Sequence, residues 1–135
     1  AVLDKENKFL LISNRNGMSI SKFDLSSNKV INEIPVGDTP ISLAVSNDNK
    51  KLYVANSKSN SVSVIDLLTN QVIDTISLPI ETQFPGEIAI TSDDKWLIVT
   101  SETTGTISIL DLNKNELALK VDVGVATHGA LLVEE

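Results

Sequence analysis

The sequence predicts an all-β fold assembled from repeated four-stranded antiparallel units, and two observations carry that prediction. The first is self-similarity. An Asp-Leu pair recurs at Asp24-Leu25, Asp66-Leu67 and Asp111-Leu112, a spacing of 42 and then 45 residues. The second is the grammar inside each copy: four short runs rich in Val, Ile, Leu and Thr, separated by polar turn clusters. A period of about 40–45 residues with four strands per unit is the β-propeller range. The expected architecture is therefore three four-stranded antiparallel propeller blades plus the first strand of a fourth, part of a larger propeller.

Three segments align in order. The first holds Phe9-Leu10-Leu11-Ile12-Ser13-Asn14 and then Met18-Ser19-Ile20-Ser21-Lys22-Phe23-Asp24. The second holds Lys51-Leu52-Tyr53-Val54-Ala55-Asn56 and Asn60-Ser61-Val62-Ser63-Val64-Ile65-Asp66. The third holds Trp96-Leu97-Ile98-Val99-Thr100-Ser101 and Gly105-Thr106-Ile107-Ser108-Ile109-Leu110-Asp111. The expected limits are residues 1–42 for blade 1, with its first strand incomplete, 43–87 for blade 2 and 88–129 for blade 3. Residues 130–135 form the innermost strand of a following blade. In the second copy the strands are expected at 41–46, 51–56, 61–67 and 71–78. Turns fall at Asn47-Asp48-Asn49-Lys50, 57–60 and Leu68-Thr69-Asn70, because Asn and Asp tolerate turn geometry and bond their own backbone. The three extra residues of the longer period fall within 80–84, where a loop absorbs them most easily.

Alternation in Ser61-Val62-Ser63-Val64 gives way to a nearly continuous apolar run in Leu52-Tyr53-Val54-Ala55. A strand covered on both faces need not alternate, which suits a blade held between two others. A helical reading fails, since no window sustains a 3.6-residue apolar period. A β-sandwich or an extended solenoid is the remaining arrangement for such strands, and neither accounts as well for the four-strand repeat.

Composition limits the function. The chain has 135 residues, 41% apolar, enough for one domain with a core. Its net charge of −7, from 18 acidic and 11 basic residues, opposes binding to a phosphate backbone, so no nucleic-acid partner is expected. The absence of cysteine excludes disulfides, thiolate catalysis and cysteine-based zinc sites. Apolar runs are too short for a membrane-spanning segment.

The run Leu52-Tyr53-Val54-Ala55-Asn56 followed by Ser61-Val62-Ser63-Val64-Ile65-Asp66, with Val36-Gly37-Asp38-Thr39-Pro40 leading into a blade, resembles the YVTN family of β-propeller repeats, a type found in surface-layer and cytochrome d1-like propellers. The resemblance covers nearly the whole chain. It departs from the strict pattern at Leu11-Ile12-Ser13-Asn14 and Ile98-Val99-Thr100-Ser101, and Leu78-Pro79 replaces Val-Gly ahead of blade 3. The resemblance implies about seven blades in a bacterial or archaeal surface, periplasmic or secreted protein. It implies no single activity, because similar repeats occur in surface-layer proteins, in haem- or quinone-linked dehydrogenase subunits and in lactonase-like enzymes.

Three blades do not close a ring, and closure is what removes sheet edges. Ala130-Leu131-Leu132-Val133 aligns with an innermost strand, and Ala1-Val2-Leu3 with the end of one. The leading expectation is a fragment of a longer polypeptide; self-association or a second subunit that completes the ring comes next, and an open array last.

Two loop sets share one propeller face: those between second and third strands, and those joining successive blades. The candidate ligand or partner residues of that face are His128, Arg15, Asn56, Lys58, Glu81, Gln83 and Phe84. His128, the single histidine, precedes Gly129 and would face the channel as a ligand or proton-transfer residue; the plainer account is a loop histidine bonded to backbone. Arg15 is suited to a carboxylate or phosphate, but a solvated surface arginine is the leading account of it. Phe84 marks the break in the repeat as a partner contact or a residue folded back on its blade. Asp24, Asp66 and Asp111 are expected to hold turns rather than to catalyse. Asn47-Asp48-Asn49 and Ser92-Asp93-Asp94 lack the spacing of a calcium loop. Tyr53 and Trp96 are expected to pack.

No catalytic triad pattern, phosphate-binding glycine loop or metal motif occurs, and no cofactor is evident. The expected function is a non-catalytic scaffold or binding propeller, exported or on the cell surface, offering its loop face to a protein or glycan. The alternative is part of a propeller enzyme, a haem- or quinone-linked dehydrogenase subunit or a lactonase-like hydrolase.

Overall fold

A computed structural model describes residues 1–101 and 103–124. Twelve strands form three four-stranded antiparallel sheets, each in simple sequence order. Blade 1 holds β1 (Val2–Leu3), β2 (Phe9–Asn14), β3 (Ser19–Asp24) and β4 (Lys29–Pro35). Blade 2 holds β5 (Pro40–Val45), β6 (Lys51–Asn56), β7 (Ser61–Asp66) and β8 (Gln71–Ser77). Blade 3 holds β9 (Pro85–Ile90), β10 (Trp96–Ser101), β11 (Thr106–Asp111) and β12 (Glu116–Asp122). The sheets begin at Pro40 and Pro85, three residues ahead of the limits at 43 and 88 read from the repeat. The expected strand at 130–135 and His128 lie outside the described residues. Among the described residues, no helix is long and apolar enough to cross a membrane.

The blades pack face to face through β-branched and leucine side chains. Leu11, Ile20 and Ile34 of blade 1 meet Val45, Leu52, Val54 and Ile65 of blade 2 in one core. The other face of blade 2, through Tyr53, Ala55, Val62 and Val64, meets Ile88, Leu97, Val99 and Leu110 of blade 3. Blade 2 is therefore covered on both faces, which is why its second strand is apolar almost throughout. Each fully buried side chain of this kind stabilises the fold by roughly 1.5–3 kcal/mol relative to exposure. Contacts between neighbouring blades concentrate on the first two strands, β5 against β2, β9 and β6 against β9, and are sparse between β4 and β8. The blades thus converge at their first strands and fan outward.

Turn chemistry repeats with the blades. Asn28, Asn70 and Asn115 each occupy the left-handed region, with φ of 55°, 55° and 53°, in the turn between third and fourth strands. Asp24, Asp66 and Asp111 open those turns. Asp24 accepts from the Ser26 N–H, Asp66 from those of Leu68 and Thr69, and Asp111 from that of Asn113, at 2.7–2.9 Å. The turns between first and second strands place Asn7, Asn49 and Asp94 in the same region. Here the side chain also reaches back one blade. The Lys5 N–H donates to Asn49 Oδ1 at 2.9 Å, and the Asn47 N–H donates to Asp94 Oδ1 at 2.8 Å. The turns between first and second strands are inter-blade links.

Tyr53 is buried as expected, but Trp96 is 38% exposed. The alignment explains the difference: Trp96 corresponds to Phe9 and Lys51 at the start of the second strand, whereas Tyr53 corresponds to Leu11 and Ile98. Trp96 lies with Ile98, Ile109 and Leu119 along an open apolar cleft of blade 3.

Candidate functional site

The loop face is built by two elements at the same end of each sheet. One is the turn between second and third strands; the other is the connection into the next blade. Antiparallel order forces both to this end, while the remaining turns lie at the opposite end.

Beneath this face runs a repeated polar brace. Asn14 Nδ2 donates to Ser19 Oγ at 3.0 Å and to Ser21 Oγ at 2.7 Å. Asn56 Nδ2 does the same to Ser61 Oγ at 3.2 Å and Ser63 Oγ at 2.8 Å. The last residue of the second strand thus clips the facing strand through alternate serines, which point the same way because side chains in a strand alternate. Blade 3 has Ser101 in the asparagine position. Its hydroxyl instead donates to the Thr82 carbonyl at 3.0 Å. Ser108, the counterpart of Ser21 and Ser63, is fully buried with its hydroxyl unpartnered among the described residues.

The connection into each blade is matched to this brace. Gly37 sits against Asn56, and a Cβ added there would lie 2.7–2.8 Å from the asparagine side chain. Counting back from Pro40 and Pro85, the residue matching Gly37 is Thr82. Blade 2 therefore pairs a glycine with an asparagine, and blade 3 pairs a threonine with a serine. Volume lost on one side is recovered on the other.

Next along the connection, Thr39 and Phe84 both adopt φ of 57° directly before a proline. This left-handed conformation is an outlier for β-branched and bulky residues, and it costs about 1–3 kcal/mol each. Surrounding bonds hold it in place: the Ser57 N–H donates to the Thr39 carbonyl at 2.9 Å.

The insertion before blade 3 is a short 3-10 turn, Ile80–Thr82, where the repeat predicts a loop. It is anchored from below. Asn60 Nδ2 donates to the carbonyls of Leu78 and Pro79 at 3.0 and 3.1 Å, and fully buried Thr82 donates through Oγ1 to the Pro79 carbonyl at 2.8 Å. Ile80 is 68% exposed and Phe84 45% exposed on top of this anchor.

The residues expected from sequence are distributed accordingly. Glu81, Gln83 and Phe84 share the insertion, with Glu81 and Phe84 exposed and Gln83 half-buried. Lys58 is exposed in the neighbouring turn, its N–H donating to the Asp38 carbonyl at 3.3 Å. Arg15 is exposed on blade 1. Asn56 is fully buried as part of the brace. His128 lies outside the described residues, so the structure says nothing of a channel-facing histidine. Among the described residues, no three His, Asp or Glu side chains converge to hold a metal ion. Ile80 was not singled out from the sequence, although it lies in the segment that breaks the repeat.

Comparison with known proteins follows this geometry. A chain in the structure of Kuenenia stuttgartiensis hydrazine synthase is 31% identical and superposes with a TM-score of 0.82 over 90% of this chain and 35% of that one. U3-55K is 16% identical, with a TM-score of 0.80 over 91% of this chain and 38% of that one. A functionally unknown protein from Desulfotomaculum acetoxidans DSM 771 is 19% identical, with a TM-score of 0.72 over 87% of this chain and 39% of that one. At their low identity the last two show the fold alone. The chain spans little more than a third of each of these proteins. No curated protein matches it. The family model for YNCE-like beta-propellers matches residues 2–78 and again 47–135, overlapping windows that the internal repeat allows. The three blades are part of a propeller, and the chain belongs to the YNCE-like beta-propeller family.

Proposed function

We propose that these blades belong to a non-catalytic binding propeller, exported or at the cell surface, whose loop face docks a protein. One observation carries the reading: the single insertion into the repeat forms a rigidly anchored turn that holds Ile80 and Phe84 in solvent. Anchoring lowers the ordering cost of binding, and exposed apolar anchors on a fixed frame are the usual centres of protein interfaces. The resemblance to YVTN repeats supports the location outside the cytoplasm.

The test is a photoreactive residue at position 84 of the intact protein in its native cell. A specific crosslinked protein is expected, and its yield should fall at least tenfold with Ile80→Ser. Equal crosslinking in that variant, or labelling of glycan instead, removes the proposal.

The 31% identity to the hydrazine synthase chain favours a second reading, in which the blades are part of an enzyme subunit. A visible cofactor band in the absorption spectrum of the intact protein would select that reading over a scaffold.

A further inference from the structure

At the end of the molecule opposite the insertion, between blades 1 and 2, lies a cavity of about 470 Å³. Phe9, Leu11, Leu67 and Leu68 supply its apolar lining, and Lys22 its buried cation. Lys22 breaks the repeat: Val64 and Ile109 hold the same position on β7 and β11.

The lysine is only 7% exposed. Its Nζ donates to the Leu67 carbonyl at 3.1 Å and to Asn70 Oδ1 at 2.9 Å, and it stands 4.4 Å from the centre of the Phe9 ring. All three are neutral, so the ammonium is buried without an ion-pair partner among the described residues. Two of its three N–H donors are spent. Burial depresses its pKa despite the more distant negative charge of Asp4. A buried charge without a counter-charge is costly, and a space beside it invites one.

The carboxylates around the cavity are committed elsewhere. Asp4 accepts from the N–H groups of Lys8 and Phe9 at 2.7 and 2.8 Å, from that of Glu6 at 3.3 Å and from Asn49 Nδ2 at 3.2 Å. Glu6 pairs with Lys8, and the remaining lining cation, Lys50, pairs with Asp48 outside the cavity. Asp66 holds its own turn. Lys22 is the cation left to be neutralised.

We propose that this cavity binds a small carboxylate with an apolar tail, its carboxylate seated on the Lys22 ammonium and its tail enclosed by Phe9, Leu11 and Leu67. The volume suits such a ligand, and most of the accessible lining surface is apolar, with Lys8, Asn49 and Lys50 joining Lys22 among the polar residues beside Asp4, Glu6 and Asp66. The site is independent of the insertion and of the partner proposed for it.

Octanoate and 1-octanol serve as matched probes, titrated into the full chain while backbone amide shifts are followed by NMR. Octanoate is expected to shift Phe9, Leu11 and Leu67 and to bind at least tenfold more tightly than octanol. Lys22→Met should abolish that preference while leaving octanol binding in place. Leu68 is 89% exposed, so Leu68→Glu preserves the fold and should weaken octanoate several-fold by repulsion at the mouth. Equal binding of the two probes, or octanoate binding unchanged by Leu68→Glu, overturns the proposal. So does a Lys22→Met protein that is merely less stable yet keeps the octanoate preference, since that marks Lys22 as only a brace between blades.

Discussion

Gly37 lies so close to Asn56 that any β-carbon at position 37 would fall 2.7–2.8 Å from the asparagine side chain. The contact joins the connecting segment to the polar brace of blade 2. Two of the three crowded atoms are Nδ2 and Cγ, and the third is Cβ, which cannot swing away. Gly37→Ala should therefore destabilise the protein by about 1–3 kcal/mol, the usual cost of overpacking. Asn56→Ser should also cost about 1–3 kcal/mol, because the bonds to Ser61 and Ser63 are lost in a buried site. The double variant copies the small side chain of Ser101 opposite Thr82. It should be more stable than the sum of the single losses by at least about 0.5 kcal/mol, measured as a urea double-mutant cycle. Strict additivity would show that the two residues do not interact.

Ser108 offers a contrast within one repeat. Its buried hydroxyl lacks the asparagine that serves Ser21 and Ser63 in the other blades. Ser108→Ala should be neutral or stabilising by up to about 1 kcal/mol, because it removes an unsatisfied polar atom. Ser63→Ala removes a satisfied one and should cost about 1 kcal/mol. Chemical denaturation of the two variants side by side decides the point, and an equal loss in both would contradict the assignment.

Tyr53 gives the chain a pH-dependent signature. Burial between blades 2 and 3, with added repulsion from Asp94 and Asp48, pushes its phenol up to about 12 from the ordinary 10.0. A pKa raised on folding stabilises the folded state fully below the unfolded value. That contribution is lost as pH rises from about 10 toward about 12. It is the only tyrosine, so ultraviolet titration reports it cleanly. Tyrosinate should appear only near pH 12, or earlier only together with unfolding. Reversible ionisation near pH 10 in folded protein would show that the ring is not buried.

Much of the fold is legible in the sequence. The second copy was expected at 41–46, 51–56, 61–67 and 71–78, and its strands run Pro40–Val45, Lys51–Asn56, Ser61–Asp66 and Gln71–Ser77. Strand runs and their Asn and Asp turns obey local rules, and repetition reports those rules three times. Asn56 shows the limit. Its place beside the loop face in sequence puts it with the candidate ligand residues, yet it is turned inward onto Ser61 and Ser63. Which way a residue at the end of a strand points depends on register, and one step along the strand reverses it.

Sequence alone determined the four-strand unit, its period and the turn roles of Asp24, Asp66 and Asp111, because each depends on residues only a few positions apart. Tertiary structure decided what meets across the blades. Lys22 reaches Leu67 and Asn70, Asn47 is held by Asp94, and Ser42 donates to Glu87 at 3.0 Å, partners 45–48 residues apart. Such pairings arise only when whole sheets are stacked, since side chains one repeat apart share a surface only after the blades have packed. The repeat fixes the kind of blade and local bonds anchor the turn at Ile80, whereas stacking creates the cavity at Lys22.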